Sequence, residues 1–255
     1  EVPDLMAAAR KCIDAGKPIH LDKPAGEDLA EYEGILRAAE RRGLVVHLGY
    51  LYRTNPAVRK VFSIAESGAL GDLLYVETAM SAPRSADYLR YLETFRGGTM
   101  YIFGGHIIDF ILRLMGKPKR VEPLLFRTGA GGFGGIDNAT ALLHYDRGVS
   151  VARTSAVETG GWLRRELTVV GEKGTVSITP FERPTIRWLS LQTGREDYYD
   201  KIAETETLRL PTDYDRYDAF PGEFYARLNG APAGVYDYDY ELTLHRLVLQ
   251  ACGMI

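Results

Sequence analysis

Residues 18–48 read PIHLDKPAGEDLAEYEGILRAAERRGLVVHL, and the order of signals in this stretch decides the fold class. Pro18 to Asp22 is a short apolar strand, and Lys23, Pro24 and Gly26 break it. A helix follows whose apolar stripe is Leu29, Tyr32, Leu36 and Ala39, closed by Arg41, Arg42 and Gly43. Leu44 to Leu48 is then a second strand. Strand, helix, strand is the pattern of a parallel α/β layer, because parallel neighbours need a crossover that a hairpin turn cannot supply. Upstream, Asp4 is placed to cap a helix through Leu5, Met6, Ala9 and Ile13, stopped by Gly16 with Pro18 just beyond. Two strands cannot cover both faces of a doubly wound sheet, so its remaining strands are expected upstream of Glu1, where the chain starts without a methionine.

Downstream, Asn55 as cap and Pro56 at the first helical position start a third helix through Val58, Val61, Phe62 and Ala65, ending at Gly68. From Leu73 the texture changes. Leu74, Val76 and Thr78 alternate as a strand, Gly98 to Met115 is helical, and Val121 to Leu210 is dominated by strands. Asp146-Arg147-Gly148 and Glu172-Lys173-Gly174 are turn signals between such strands and predict an antiparallel meander. Helices around Glu223 to Leu228 and from Tyr240 to Ala251 close the chain, and no internal repeat is present. The expected architecture is therefore α/β plus α+β: residues 1–53 are the C-terminal portion of a parallel-sheet domain, and residues 54–255 an α+β domain with a large, mainly antiparallel open sheet and flanking helices.

Composition narrows the function. The 255 residues carry 31 Lys and Arg against 34 Asp and Glu, a formal net charge of −3, so no basic stripe is available for nucleic-acid phosphates or a membrane surface. The most apolar window, Thr99 to Met115, is interrupted by His106, Asp109 and Arg113, which argues against a membrane span. Cys12 and Cys252 lie at opposite ends without metal spacing, pointing to a reducing, cytoplasmic compartment or to indifference to redox; no metal site is expected. Gly129 to Gly134 spells GxGxxG, but a strand-like segment from Ala139 to Tyr145 follows where the dinucleotide fingerprint requires a helix, so the segment is read as a loop. Asn138-Ala139-Thr140 matches a glycosylation sequon by chance alone.

Two places carry candidate chemistry. Lys23 ends a parallel strand, where open α/β sheets bind ligands, and a partly desolvated ammonium there can exchange a proton with a substrate hydroxyl. The alternative is a solvated lysine after a strand. Ile102, His106, Asp109 and Arg113 fall on one helical stripe: His106 is a candidate general base with Asp109 fixing its tautomer and Arg113 pairing with Asp109. The alternative is an internal ion-pair network that holds helix to sheet. His20, His47, His144 and His245 have core or rim roles, and Tyr198, Tyr199, Tyr236, Tyr238 and Tyr240 serve packing or subunit contact.

These residues fall into a familiar order. Asp22-Lys23-Pro24 resembles the (E/D)KP motif of the Gfo/Idh/MocA oxidoreductases. Gly49-Tyr50-Leu51-Tyr52-Arg53-Thr54-Asn55-Pro56 resembles their aromatic-Arg-x-x-Pro segment, followed by the Gly68-Ala69-Leu70-Gly71 turn. Gly97-Gly98 with His106 and Asp109 is similar to their GG…GxHxxD helix, and Val170 to Thr175 to their C-terminal hairpin. The resemblance implies a Rossmann-like domain that binds NAD or NADP, a hydride transfer to or from a sugar, polyol or related carbonyl compound, and homo-oligomers through the open sheet face. It implies Lys23, His106 and Asp109 as catalytic residues, Asp22, Lys23, Pro24 and Arg53 beside the cofactor, and Tyr52 and Trp162 as walls of the substrate site. One position departs: the family's Asp one turn before the histidine is Ile102 here. Either Lys23 and His106 suffice, or Tyr101 or Asp109 compensates, or redox activity is reduced. That departure keeps open a binding or assembly module, or a non-redox enzyme, on the same scaffold.

Overall fold

Two sheets organise the chain in a computed structural model that describes residues 2–190, 204–207, 209–210 and 215–255. The smaller is the pair expected from residues 18–48: β1 (Ile19–Leu21) and β2 (Val46–Leu48) run parallel with Ile19 opposite Val46 and Leu21 opposite Leu48. Helices α1 (Val2–Asp14) and α2 (Leu29–Arg41) pack together beside them. Asp28 caps α2 through the amides of Ala30 and Glu31, placing Tyr32, Ile35, Leu36 and Ala39 on its buried face. The expected cap Asp4 instead falls inside α1, which starts at Val2.

Asn55 and Pro56 start α3 (Pro56–Glu66) as their chemistry dictates, with the Asn55 side chain accepting from Ala57 and Val58. The larger sheet holds β3 (Leu73–Ser81), β4 (Arg120–Phe126), β5 (Asn138–His144), β6 (Val149–Ser155), β7 (Glu166–Gly171), β8 (Gly174–Thr179), β9 (Thr185–Ser190) and β10 (Glu204–Thr207). Both expected hairpins form, β5 with β6 and β7 with β8. The sheet is nevertheless not a plain meander. Its order is β10-β9-β8-β7-β3-β6-β5-β4, with β3 inserted between the two hairpins, antiparallel to β7 and parallel to β6. The near-continuous burial of β3 from Val76 to Ser81, broken only at Glu77, is that of a central strand. Tyr198, Tyr199 and part of the expected strand region lie outside the described residues.

One face of this sheet packs on α3, α5 (Gly105–Met115) and α7 (Tyr238–Ala251), burying Val58, Val61, Ile107, Phe110, Leu244 and Val248. On the opposite face Leu124, Phe126 and Val149 stand exposed in register-matched rows. Two further elements complete the chain, α4 (Ala86–Glu93), capped by Ser85, and α6 (Ala219–Leu228). The helix expected from Gly98 to Met115 forms without a break, but Met100–Gly104 within it is wound as a π turn, between α-helical Gly98 and Thr99 and the regular α5. Gly98 has φ +49°, and Gly104 and Gly105 leave room for the side chains of Met100 and Tyr50. The GxGxxG segment is an exposed loop ahead of β5, as its sequence context requires.

Candidate active site

Lys23 follows β1 with only Asp22 between them. Its amide donates to the Asp22 carboxylate (2.8 Å), which sits over the bare Cα of Gly49 at the end of β2, and the Lys23–Pro24 peptide is cis. The Lys23 side chain runs inward until Nζ donates to the carbonyl oxygen of Ile102, at 2.7 Å, in the π turn. Burial pushes its pKa down to about 8; Asp22 works against that shift, and Arg216 and Arg84 add to it. The amine is therefore a cation at neutral pH that needs little to give up its proton.

His106, in the first turn of α5, is buried edge-on to the rings of Tyr50 and Tyr52, at centroid distances of 5.9 and 5.2 Å. Burial, reinforced by Lys23, Arg216, Arg53 and Arg165, holds its pKa well below the ordinary value, so the imidazole is neutral at pH 7. Its Nδ1 has no hydrogen-bond partner among the described residues. Lys23 and His106 line one cavity of about 280 Å³, whose walls include Tyr52, Ile102 and Trp162. Tyr52 is fixed there by Glu182 (2.8 Å), which also receives Arg165 (2.6 Å). Trp162 lies against the Arg165 guanidinium, 3.8 Å from its ring centre.

Asp109 and Arg53 are placed elsewhere. Arg53 makes a two-pronged pair with Asp109 (2.8 and 2.9 Å) and a second pair with Glu241 (2.5 Å), between the rings of Tyr50 and Tyr236. Tyr240 donates its hydroxyl to Asp109 (2.8 Å). This network is buried, and neither Asp109 nor Arg53 lines the cavity that holds Lys23. The expected partnerships of Asp109 with His106 and Arg113 are thus corrected: Arg53 and Tyr240 occupy its oxygens, and Arg113 pairs with Glu66. Asp22 and Pro24 border the site without lining the cavity. Among the described residues no cluster of three His, Cys, Asp or Glu side chains is arranged around a metal position.

The remaining expectations resolve locally. His20 and His47, register partners on β1 and β2, hydrogen-bond to each other at 2.8 Å beside Phe220 and Phe224 of α6. Tyr238 bridges Leu44 and Val46, and Tyr236 underlies Arg53, so these tyrosines pack within the chain. Sequence reasoning missed Arg84, Arg165 and Arg216, which all line the cavity. The readable signal was a charge placed directly after a buried strand, as in Ala82-Pro83-Arg84.

Comparison with known proteins adds four findings. Residues 58–177 match the GFO/IDH/MocA C-terminal domain. The chain is 28% identical over 185 residues to a trans-1,2-dihydrobenzene-1,2-diol dehydrogenase of Sus scrofa, covering 69% of this chain and 52% of that protein. It is also 28% identical over 174 residues to a dTDP-3,4-didehydro-2,6-dideoxy-alpha-D-glucose 3-reductase of Streptomyces violaceoruber, covering 66% of this chain and 49% of that protein. The chain thus spans about half the length of the curated relatives it matches. An oxidoreductase from Agrobacterium radiobacter, solved in complex with NAD+, L-tartaric acid and magnesium, shares the fold with a TM-score of 0.80 at 16% identity, covering 97% of this chain and 73% of that one.

Proposed function

Residues 58–177 match the GFO/IDH/MocA C-terminal domain, and we propose that the chain is a member of that family and carries the substrate site of an NAD(P)-dependent oxidoreductase, moving a hydride between a nicotinamide and the C–H(OH) carbon of a sugar, polyol or related carbonyl compound. The observation that carries the reading is the meeting of Lys23 and His106 in one cavity at the carboxyl end of a parallel strand. The relatives support it: two are named as a dehydrogenase and a sugar reductase, and the structural neighbour holds NAD+. In this reading residues 1–53 are the C-terminal portion of the nucleotide-binding domain and residues 54–255 the substrate-binding and oligomerisation domain.

The residues present fit the cofactor, since His106 keeps an unpartnered ring nitrogen and the buried Lys23 cation is held by a single backbone carbonyl. Asp22, Lys23 and Pro24 would border the nicotinamide, which when bound supplies the redox chemistry as hydride acceptor or donor. Arg53 is left out of that contact because two buried carboxylates already hold it. In the oxidative direction the neutral His106 imidazole takes the hydroxyl proton while the Lys23 ammonium donates a hydrogen bond to the same oxygen and polarises it. Tyr52 and Trp162 wall the sugar, and Asp109, through Arg53, positions the helix that carries His106. Homo-oligomers would form over the open sheet face through Leu124, Phe126 and Val149.

NADH and NADPH titrated into the full-length protein test the reading directly, and binding of neither ends it. Lys23→Met and His106→Asn should each slow turnover by about 10²–10⁴-fold. Carbonyl reduction should fall as pH rises through about 8, where Lys23 loses the charge that polarises the reacting oxygen.

A further inference from the structure

The electrostatics of the cavity specify more than a sugar. Four cations line it, Lys23, Arg84, Arg165 and Arg216, and among the described residues no carboxylate does. The counter-charges beside it are engaged elsewhere: Glu182 is shared between Arg165 and the Tyr52 hydroxyl, and Asp22, which acts on Lys23, accepts from the Lys23 amide. Asp215 and Glu182 line an adjoining cleft that shares Tyr52, Arg216 and Tyr217 with the cavity. Arg84 is the least compensated: it has no ion-pair partner among the described residues, and its buried Nε makes no hydrogen bond. Its guanidinium is held instead over the rings of Tyr88 (4.7 Å), Phe103 (4.7 Å) and Trp162 (5.1 Å). Arg216 lies over the Tyr217 ring (5.2 Å).

Gathering like charges in a half-buried site costs free energy in the empty protein, and an anion placed among them offsets it. Burial, with Arg165 and Arg216 close by, accordingly lowers the pKa of Arg84. The guanidinium fork matches the two oxygens of a carboxylate or the face of a phosphate. At about 280 Å³ the cavity is smaller than the roughly 300–1,000 Å³ of drug-sized pockets, which suits a small acid of sugar size rather than a long chain.

Building on the oxidoreductase reading, we propose that the substrate is anionic, a sugar or polyol acid whose carboxylate or phosphate is bound by Arg84 and Arg216 while its reacting C–O bond lies at Lys23 and His106. The two arginines set specificity, and an uncharged sugar of the same shape binds weakly.

The test uses the full-length protein saturated with NADH, with malonate and inorganic phosphate as probes, glycerol as neutral control, and calorimetry as readout. At least one anion should bind, and whichever binds more tightly identifies the acid group. Arg84→Met and Arg216→Met should each weaken it by about tenfold or more, Arg84→Lys should restore part of the affinity, and added salt should weaken it further. Arg164→Met, an exposed arginine paired with Glu158, should change nothing. Failure of both anions to bind, or wild-type anion affinity in both methionine variants, overturns the proposal. NADH is titrated in the same samples, so NADH binding without anion binding removes only the anionic substrate, whereas no NADH binding removes the oxidoreductase reading on which it rests.

Discussion

Replacing Arg53 with methionine separates a structural role from a cofactor role at that position. Arg53 is about 10% exposed and neutralises two carboxylates that are almost wholly buried, Asp109 at 2% and Glu241 at 4%. Methionine fills much of the volume between the Tyr50 and Tyr236 rings but leaves both acids without a cation. Breaking one buried pair costs about 3–5 kcal/mol, because an uncompensated charge stays in the interior. With two acids stranded, the upper end of about 5 kcal/mol applies, less whatever is relieved when Glu241, whose pKa burial already raises, takes up a proton. At about 2–4 °C per kcal/mol for a chain of this size, the melting temperature should fall by about 10–20 °C. Urea unfolding of the full-length protein gives the free energy, and 0.5 M salt should not erase the loss, since buried pairs are little screened. Adding Asp109→Asn and Glu241→Gln to Arg53→Met should recover part of the stability by removing the stranded charges. The reasoning fails if Arg53→Met costs less than about 1 kcal/mol. NADH affinity of the folded variant should stay near wild type; a large loss of that affinity at unchanged stability would return Arg53 to the cofactor site.

Two further outcomes follow from buried groups outside the cavity. His245 on α7 is buried beside Tyr32 (centroid distance 4.8 Å), and burial lowers its pKa to about 4. The folded value lies below the unfolded one of about 6.5, so its contribution is present above pH 6.5 and lost as pH falls toward 4, by about 3 kcal/mol in all; unfolding of His245→Phe between pH 7 and 4.5 should show a shallower loss than wild type, and equal slopes would exclude His245 as a source. Gly98→Ala places a Cβ onto the Ile136 carbonyl oxygen at φ +49°, whereas Gly43→Ala at φ +62° meets open space. Denaturation should show Gly98→Ala costing about 2 kcal/mol more than Gly43→Ala, and equal losses would mean the backbone there shifts freely.

Features set by neighbouring residues were readable from the sequence. The cap at Asn55 with Pro56 behind it, the two hairpin turns and the parallel pair on either side of α2 each depend on a few adjacent side chains. The place of β3 at the sheet centre was not readable, because strand order is a long-range outcome of which hairpin edges meet. The partner of Asp109 failed for a related reason. Helical spacing puts Arg113 within reach of Asp109 but says nothing of competitors: Arg53, arriving from before α3, and Tyr240, from α7, meet Asp109 on the buried side, while Arg113 turns outward to Glu66. The same logic governs the active site. Ile102 in place of an acid offers no side chain to orient a base or bind a sugar hydroxyl, yet its main-chain carbonyl is the acceptor for Lys23 Nζ. A carbonyl is present whatever the side chain, so no residue pattern announces it; the π turn at Met100–Gly104, which presents it, depends on glycines whose value shows only once Met100, Tyr50 and Ile136 are in place against them. Lys23 is thereby anchored by backbone geometry, which leaves the identity of side chain 102 free to shape the cavity wall.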